Sequence, residues 1–378
     1  MNSVAPKSLF SAWNDDTQVL EEVRKVSREQ LAPAAESIDK GRYPLEIMSS
    51  LGKAGAFAVH LDKHGERFGL ALSNMHEISR QCGSTGFMTW CHDVCGLYME
   101  QSGNPALLAR LDDHVVGKTF GGTALSNPMK ALTGIEAMAL KAIPAENGGY
   151  RVSGTLPWVS HIQRGHYCGA VAAVDLSNGQ RSHEVMFMLD LDDRVKLKQC
   201  PEFSGMEGTS TWSIQLRDYL VTPEQIIADP VRPFIQRIRG AFVMLQAGMA
   251  TGVAQGAIDS IREVELSLGH VNQYLHLQPD ELQAELDELR SRMTTLATTP
   301  YETDKSFLID VLDARAQGSE LALKATQSAL LHQGARGYLM SAPPQRRIRE
   351  AHFVAIVTPA LKHLRWEIAK LMKEEMPS

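Results

Sequence analysis

The sequence predicts an α+β protein in three consecutive parts: an N-terminal α-helical domain (residues 1–118), a central β-barrel or β-sandwich domain (119–229) and a C-terminal four-helix bundle (230–378). Three observations carry this. Apolar residues recur at three-to-four spacing as far as Lys118. Short β-branched and aromatic runs, separated by turn residues, then extend to Asp229. After Pro233 the helical periodicity returns and persists. With 378 residues the chain is long enough for two or three packed units.

In the first part Val19, Leu20, Val23 and Val26 lie on one helical face, and Pro44 precedes a second amphipathic run through Ile47, Leu51 and Ala54. Gly52, Gly55, Gly65 and Gly69 punctuate turns. A run from Ser73 to Gln81 leads into the apolar stretch Phe87 to Met99, and Pro105 suits the first turn of a short helix ending at Leu111. In the second part strands are predicted over 118–125, 137–144, 150–160, 167–176, 184–190, 195–199 and 211–221. Turns at Glu146-Asn147-Gly148-Gly149 and Ser177-Asn178-Gly179 separate some of them. In the third part a long helix over 234–264 has a small-residue middle: Ala247, Gly248, Ala250, Gly252, Ala254, Gly256 and Ala257. Such a surface admits another helix or a flat ligand, despite a propensity cost of ~1 kcal/mol per glycine. Leu282, Leu286, Leu289, Met293 and Leu296 follow a heptad-like stripe, and helices over 305–333 and 344–373 complete the bundle.

Composition narrows the function. Hydrophobic residues make up 44% and charged residues 22%, ordinary values for a soluble globular protein. The net charge of −6 gives no footprint for nucleic acid, and the basic stretch Arg346-Arg347-Ile348-Arg349 runs directly into the acidic Glu350. No signal pattern and no apolar run of ~20 residues is read, so no membrane partner is expected. Five irregularly spaced cysteines describe no disulfide framework, which fits a reducing cytoplasm. Cys91 and Cys95 share a helical face but lack a second pair at ligand spacing, so no metal is expected.

Several motifs, in order along almost the whole chain, give a sharper reading. Leu31-Ala32-Pro33 and Ser50-Leu51-Gly52-Lys53-Ala54-Gly55 come first, then Gly121-Gly122-Thr123-Ala124-Leu125-Ser126-Asn127-Pro128. Gly149-Tyr150-Arg151-Val152-Ser153-Gly154 runs on to Trp158-Val159-Ser160, and Gly205-Met206-Glu207-Gly208-Thr209-Ser210-Thr211 to Val221-Thr222-Pro223. Gln333-Gly334-Ala335-Arg336-Gly337-Tyr338 precedes Arg346 to Ala351. This series resembles the acyl-CoA dehydrogenase superfamily. The resemblance implies FAD held between the β domain and the bundle, a small-molecule substrate, and a homotetramer or homodimer. On it, Trp158 offers a flat face to the flavin ring, Ser126 and Ser160 offer hydroxyls, and the backbone around Gly334 and Gly337 approaches a diphosphate.

The chain also departs from that family. The family's catalytic glutamate falls on Thr358, and its alternative location falls on Phe242 or Val243; none is a base of suitable pKa. The family's Arg-x-x-Phe-Gly segment falls on 268–274, which holds no arginine, so reduced FMN or FAD acting as a diffusible co-substrate is the alternative to tightly bound FAD. These losses point to the superfamily's monooxygenase branch, resembling dibenzothiophene monooxygenase. That branch needs a donor near the flavin rather than a base, and a flavin reductase or other electron-transfer partner. The candidate donors are His92, His161 and His352, with His92 foremost. Two other readings stand beside it: a dehydrogenase with its base at Glu350 or Glu367, and a non-catalytic scaffold.

Overall fold

The computed structural model describes residues 13–61, 67–146, 148–175 and 181–373. The turn read at Ser177-Asn178-Gly179, together with Gly65 and Asn147, lies outside them. Asp15 opens the first helix: its backbone is extended, and its carboxylate accepts from the Thr17 and Gln18 N–H groups at 2.9 and 3.2 Å. From Asp16 the chain is helical to Asp39, through a π turn at Ser27–Leu31. Leu45–Lys53 follows Pro44. Phe68–Gln81 and Gly83–Ser102 are separated by the extended Cys82, and the second is buried continuously from Gly83 to Met99. Where one short helix is expected up to Leu111, two occur, Pro105–Leu108 and Leu111–Val115.

Eight strands follow: β1 (Gly121–Thr123), β2 (Leu140–Pro144), β3 (Tyr150–Val159), β4 (Tyr167–Asp175), β5 (Arg181–Asp190), β6 (Lys196–Gln199), β7 (Trp212–Val221) and β8 (Ile226–Ala228). They pair in the order β6-β7-β3-β2-β4-β5-β8, with β1 parallel to β4. Among the described residues β6 and β8 end this path, so the ladder does not close on itself as a barrel. β4 is buried on both faces. Tyr167, Val171 and Ala173 join the helical core, while Cys168, Ala170, Ala172 and Val174 join a second core belonging to the sheet.

One irregularity matters for the site. β3 pairs Leu156 with Ile214 and Val159 with Trp212, so it carries one extra residue between these positions. Pro157, which has no N–H to donate, sits in this bulge. Beside it Trp158 stands 63% exposed.

The long helices Val231–Arg262, Pro279–Leu296 and Lys305–Gln333 match the expected bundle. The fourth does not run through: it is Pro343–Ile356 and Leu361–Lys373. Pro359 is the cause, because it drives the preceding residue from the α region and cannot donate to a helical ladder. Val231–Arg262 is long and apolar enough to cross a membrane, which the sequence reading did not anticipate, but its apolar window is wholly buried and it forms the centre of the helical core. Its small-residue face receives a helix of the first part: a Cβ on Gly252 would lie 2.3 Å from the His76 carbonyl of Phe68–Gln81. One hydrophobic core therefore runs from Trp13 to Leu364. The first and third parts, expected as separate domains, pack as one body with the sheet against it.

Candidate active site

A cavity of about 550 Å³ lies where the sheet meets the helices. Its first wall comes from the sheet. Trp158 projects from the bulge and Ser160 follows β3; Ser160 Oγ lies 2.7 Å from Thr211 Oγ1, which lies 2.9 Å from Thr209 Oγ1. Gly122 permits this closeness, since a Cβ there would meet the Ser160 carbonyl at 2.8 Å. Thr123, at the end of β1, is held by Tyr98 through a 2.9 Å hydroxyl contact.

The second wall is aromatic. Phe87 and Trp90 stack at 5.7 Å and 16° on Gly83–Ser102. The Phe353 and Phe242 rings lie edge-on to them, at 4.6 and 5.0 Å. Trp90 Nε1 donates to the Phe242 carbonyl at 3.2 Å, so this buried indole is satisfied.

The third wall joins Ser126, at the start of the helix Ser126–Leu132, to Thr358 in the break before Pro359. Ser126 Oγ lies 2.9 Å from Thr358 Oγ1. Behind Thr358, Gln246 Nε2 donates to its carbonyl at 2.9 Å, and Arg315 Nε donates to Gln246 Oε1 at 3.2 Å. Lys130, Arg349 and His352 complete the lining. Lys130 pairs with Glu136 at 2.9 Å, Arg349 with Asp39, and His352 Nδ1 with the Ile348 carbonyl at 2.9 Å. No aspartate or glutamate is among the residues that line the cavity.

The cavity thus gathers Ser126, Trp158, Ser160, His352 and Thr358 of the residues singled out from sequence, together with Phe242. It does not include His92 or His161. His92 is fully buried, stacked on His114 at 3.6 Å, and the two rings bond to each other's backbone carbonyls at 3.0 Å. Burial pushes its pKa down to about 3, so it is a neutral core imidazole and no proton donor at neutral pH. His161 takes left-handed backbone (φ 61°) directly after Ser160, and its ring is buried among His92, Phe120 and His166. Its Nδ1 meets Tyr43 Oη at 2.9 Å, and burial holds its pKa well below the usual histidine range. Gly334 and Gly337 lie in a 3-10 turn at the end of Lys305–Gln333, outside this cavity. Glu350 and Glu367 are outside it too. Glu350 is fully buried and paired with Arg346 at 2.6 Å, and Glu367 is paired with Arg239. Sequence reasoning missed Phe87, Trp90 and Phe353 as a single aromatic wall, because they come from two helices whose mutual packing no local pattern encodes. Thr209 and Thr211 stood inside a quoted motif but were given no role.

Residues 14–111 match the model of the acyl-CoA dehydrogenase N-terminal domain. A probable acyl-CoA dehydrogenase of Bacillus subtilis is 22% identical over 92% of this chain and 95% of its own length. The chain is similar to acyl-CoA dehydrogenases along almost its whole length, and the family model matches its first part. The structure of a glutaryl-coenzyme A dehydrogenase in complex with glutaryl-CoA superposes with a TM-score of 0.84 at 19% identity, covering 100% of this chain and 98% of that one. Dibenzothiophene monooxygenase from Paenibacillus sp. A11-2 superposes with a TM-score of 0.78 at 15% identity, covering 95% and 98%. The fold is therefore shared with a dehydrogenase and with a monooxygenase.

The lining suits a flavin ring. A planar, partly polar ring system needs a flat apolar face and short donors and acceptors around its edge. Trp158 supplies an exposed indole, and Thr123, Ser126, Ser160 and Thr211 supply hydroxyls. The volume of about 550 Å³ lies within the range of small-molecule sites.

Proposed function

We propose that this superfamily member is a flavin-dependent oxidoreductase that holds FAD in the cavity between the sheet and the helices, and that it works without a carboxylate base, as an oxygen-using monooxygenase on a compact apolar substrate. The observation that carries the reading is the lining itself: the positions to which the family resemblance assigns the glutamate hold Thr358 and either Phe242 or Val243, and no lining residue is acidic. A threonine hydroxyl cannot act as a matched base near neutrality.

Trp158 and Ser160 are the residues that would hold the ring, with Thr211 fixing the Ser160 rotamer. Bound there, the flavin supplies two-electron redox chemistry and, when reduced, reaction with dioxygen. The chain contributes position and shelter. Phe87, Trp90, Phe242 and Phe353 exclude water from the substrate side and favour a compact apolar group over a charged one. Ser126 and Thr358 present a hydroxyl pair that both donates and accepts, suited to orienting an oxygen atom. His352 stands exposed at the rim of the lining.

A homotetramer or homodimer, with electrons delivered by a flavin reductase or another electron-transfer partner, belongs to the same proposal, as does exchange of reduced FMN or FAD with solution. A cytoplasmic location is supported by all five cysteines being free thiols. One observation favours a second reading. The Bacillus subtilis relative is named a probable acyl-CoA dehydrogenase, and a dehydrogenase would need a base from beyond this lining. Glu350 and Glu367, both paired with arginines, are poor sources.

The test is reconstitution with FAD, photoreduction without air, and mixing with oxygenated buffer in the presence of candidate apolar ring compounds. Oxygen uptake coupled to hydroxylated product supports the monooxygenase. Failure to take up flavin sinks the proposal altogether.

A further inference from the structure

Arg315 heads the fully buried side chains by size, yet no carboxylate among the described residues pairs with it. Its three recorded partners are neutral: Gln246 Oε1 at 3.2 Å, the Ser319 hydroxyl, and the Val354 carbonyl at 2.6 Å. Burial pulls its pKa down only to about 9, so it stays cationic at neutral pH. A buried cation without a counter-ion is costly and calls for a reason.

The reason lies at the helix break. Pro359 stops the helix Pro343–Ile356, and Val357 N–H closes it on the Phe353 carbonyl at 2.8 Å. The carbonyls beyond lack helical partners. Arg315 caps that of Val354, and Gln246 caps that of Thr358. A cation at a helix C-terminus also faces the negative end of the backbone dipole, which partly offsets its burial. Gln246 stands one turn after Phe242 on the same helix, so a single face of Val231–Arg262 both walls the cavity and holds the break.

We propose that Arg315 and Gln246 form a positioning relay: they fix the backbone at 354–358 from beneath and so present the Thr358 hydroxyl to Ser126 across the cavity wall. Neither lines the cavity, and both act through Thr358. The geometry stands alone, while the consequence for chemistry rests on the function proposed above.

The test uses the full chain with FAD and two variants, Gln246→Leu and Arg315→Lys. Gln246→Leu keeps volume and removes the donor, and it preserves the test if Arg315→Lys does not fold. Hydrogen exchange in a peptide spanning 353–361 is expected to accelerate about tenfold, while Phe68–Gln81 is unchanged. The rate at which the reduced holoprotein is reoxidised by oxygen is expected to fall as it does in Thr358→Val, with FAD affinity within about twofold. The double variant Gln246→Leu/Thr358→Val should lose no more than Thr358→Val alone. Unchanged exchange at 353–361, or losses that add in the double variant, would overturn the relay. If the chain takes up no flavin, the proposed function fails, and the exchange result alone still decides the relay.

Discussion

Ser126 Oγ and Thr358 Oγ1 lie 2.9 Å apart although 232 residues separate them, so the sheet side and the helical side of the cavity meet in one hydroxyl pair. The pair holds the position to which the family resemblance assigns the α-proton base, and the proposed function rests on it. Thr358→Val keeps the shape and removes the hydroxyl. It is expected to lower oxygen-dependent turnover about ten- to a hundredfold while leaving FAD affinity within about twofold. Steady-state rates beside flavin fluorescence titration check this.

Trp158 and Ser160 should govern the cofactor instead. Trp158 is 63% exposed, so Trp158→Ala should alter stability by less than about 0.5 kcal/mol. Loss of the stacking face should still weaken FAD binding about tenfold. Ser160→Ala should weaken it by a few-fold, since Thr211 keeps its contact with Thr209. Unchanged affinity in both variants would remove the ring from this wall.

Phe242 tests the aromatic wall. It is buried, with its ring edge-on to Trp90. Phe242→Ala should destabilise by about 3 kcal/mol, the lower end for such truncations because one side of the ring already faces a cavity. The enlarged site should accept bulkier apolar substrates, read as a rise in their kcat/KM relative to the preferred one.

The buried histidines predict acid lability. Burial pushes His60 and His166 down to about 4 and His92 to about 3, and holds His76, His114 and His161 well below the usual range. The unfolded chain takes up protons at these positions as pH falls through about 6.5, whereas in the folded chain His60 and His166 do so only near 4, His92 only near 3, and the other three only well below the usual range. Their stability contribution is therefore full above about pH 6.5 and declines below it, by roughly 2 kcal/mol at pH 5 for each of His60, His92 and His166. Asp93, raised by burial, works in the opposite direction and offsets part of this decline. Urea midpoints from pH 7.5 down to pH 5 should fall steadily; a flat profile would mean that the cluster admits water.

The three-part order and most elements were legible because each rests on a local signal. Asp15 and Pro44 start helices, glycine turns separate strands, and apolar residues recur at helical spacing. The cavity-lining residues Ser126, Trp158 and Ser160 were singled out through their motifs. The rest depends on long-range packing. Nothing local says that Gly252 receives the His76 backbone, so the shared core was read as two domains. His92 and Trp90 sit on the same buried helix, yet only Trp90 reaches the cavity, because helix rotation is set by partners distant in sequence. The helix break at Pro359 was readable from the proline alone and was passed over; with it went the reason Thr358 faces the site.

The measurement that bears most directly on the central claim is anaerobic mixing of the oxidised, FAD-loaded protein with a panel of short-, medium- and branched-chain acyl-CoA esters, followed at the flavin absorbance band. A cavity without a carboxylate base predicts that the band persists with every ester over minutes. Bleaching by any one of them, with release of the corresponding enoyl-CoA, would contradict it and would mean that a base reaches the substrate from outside the lining described above.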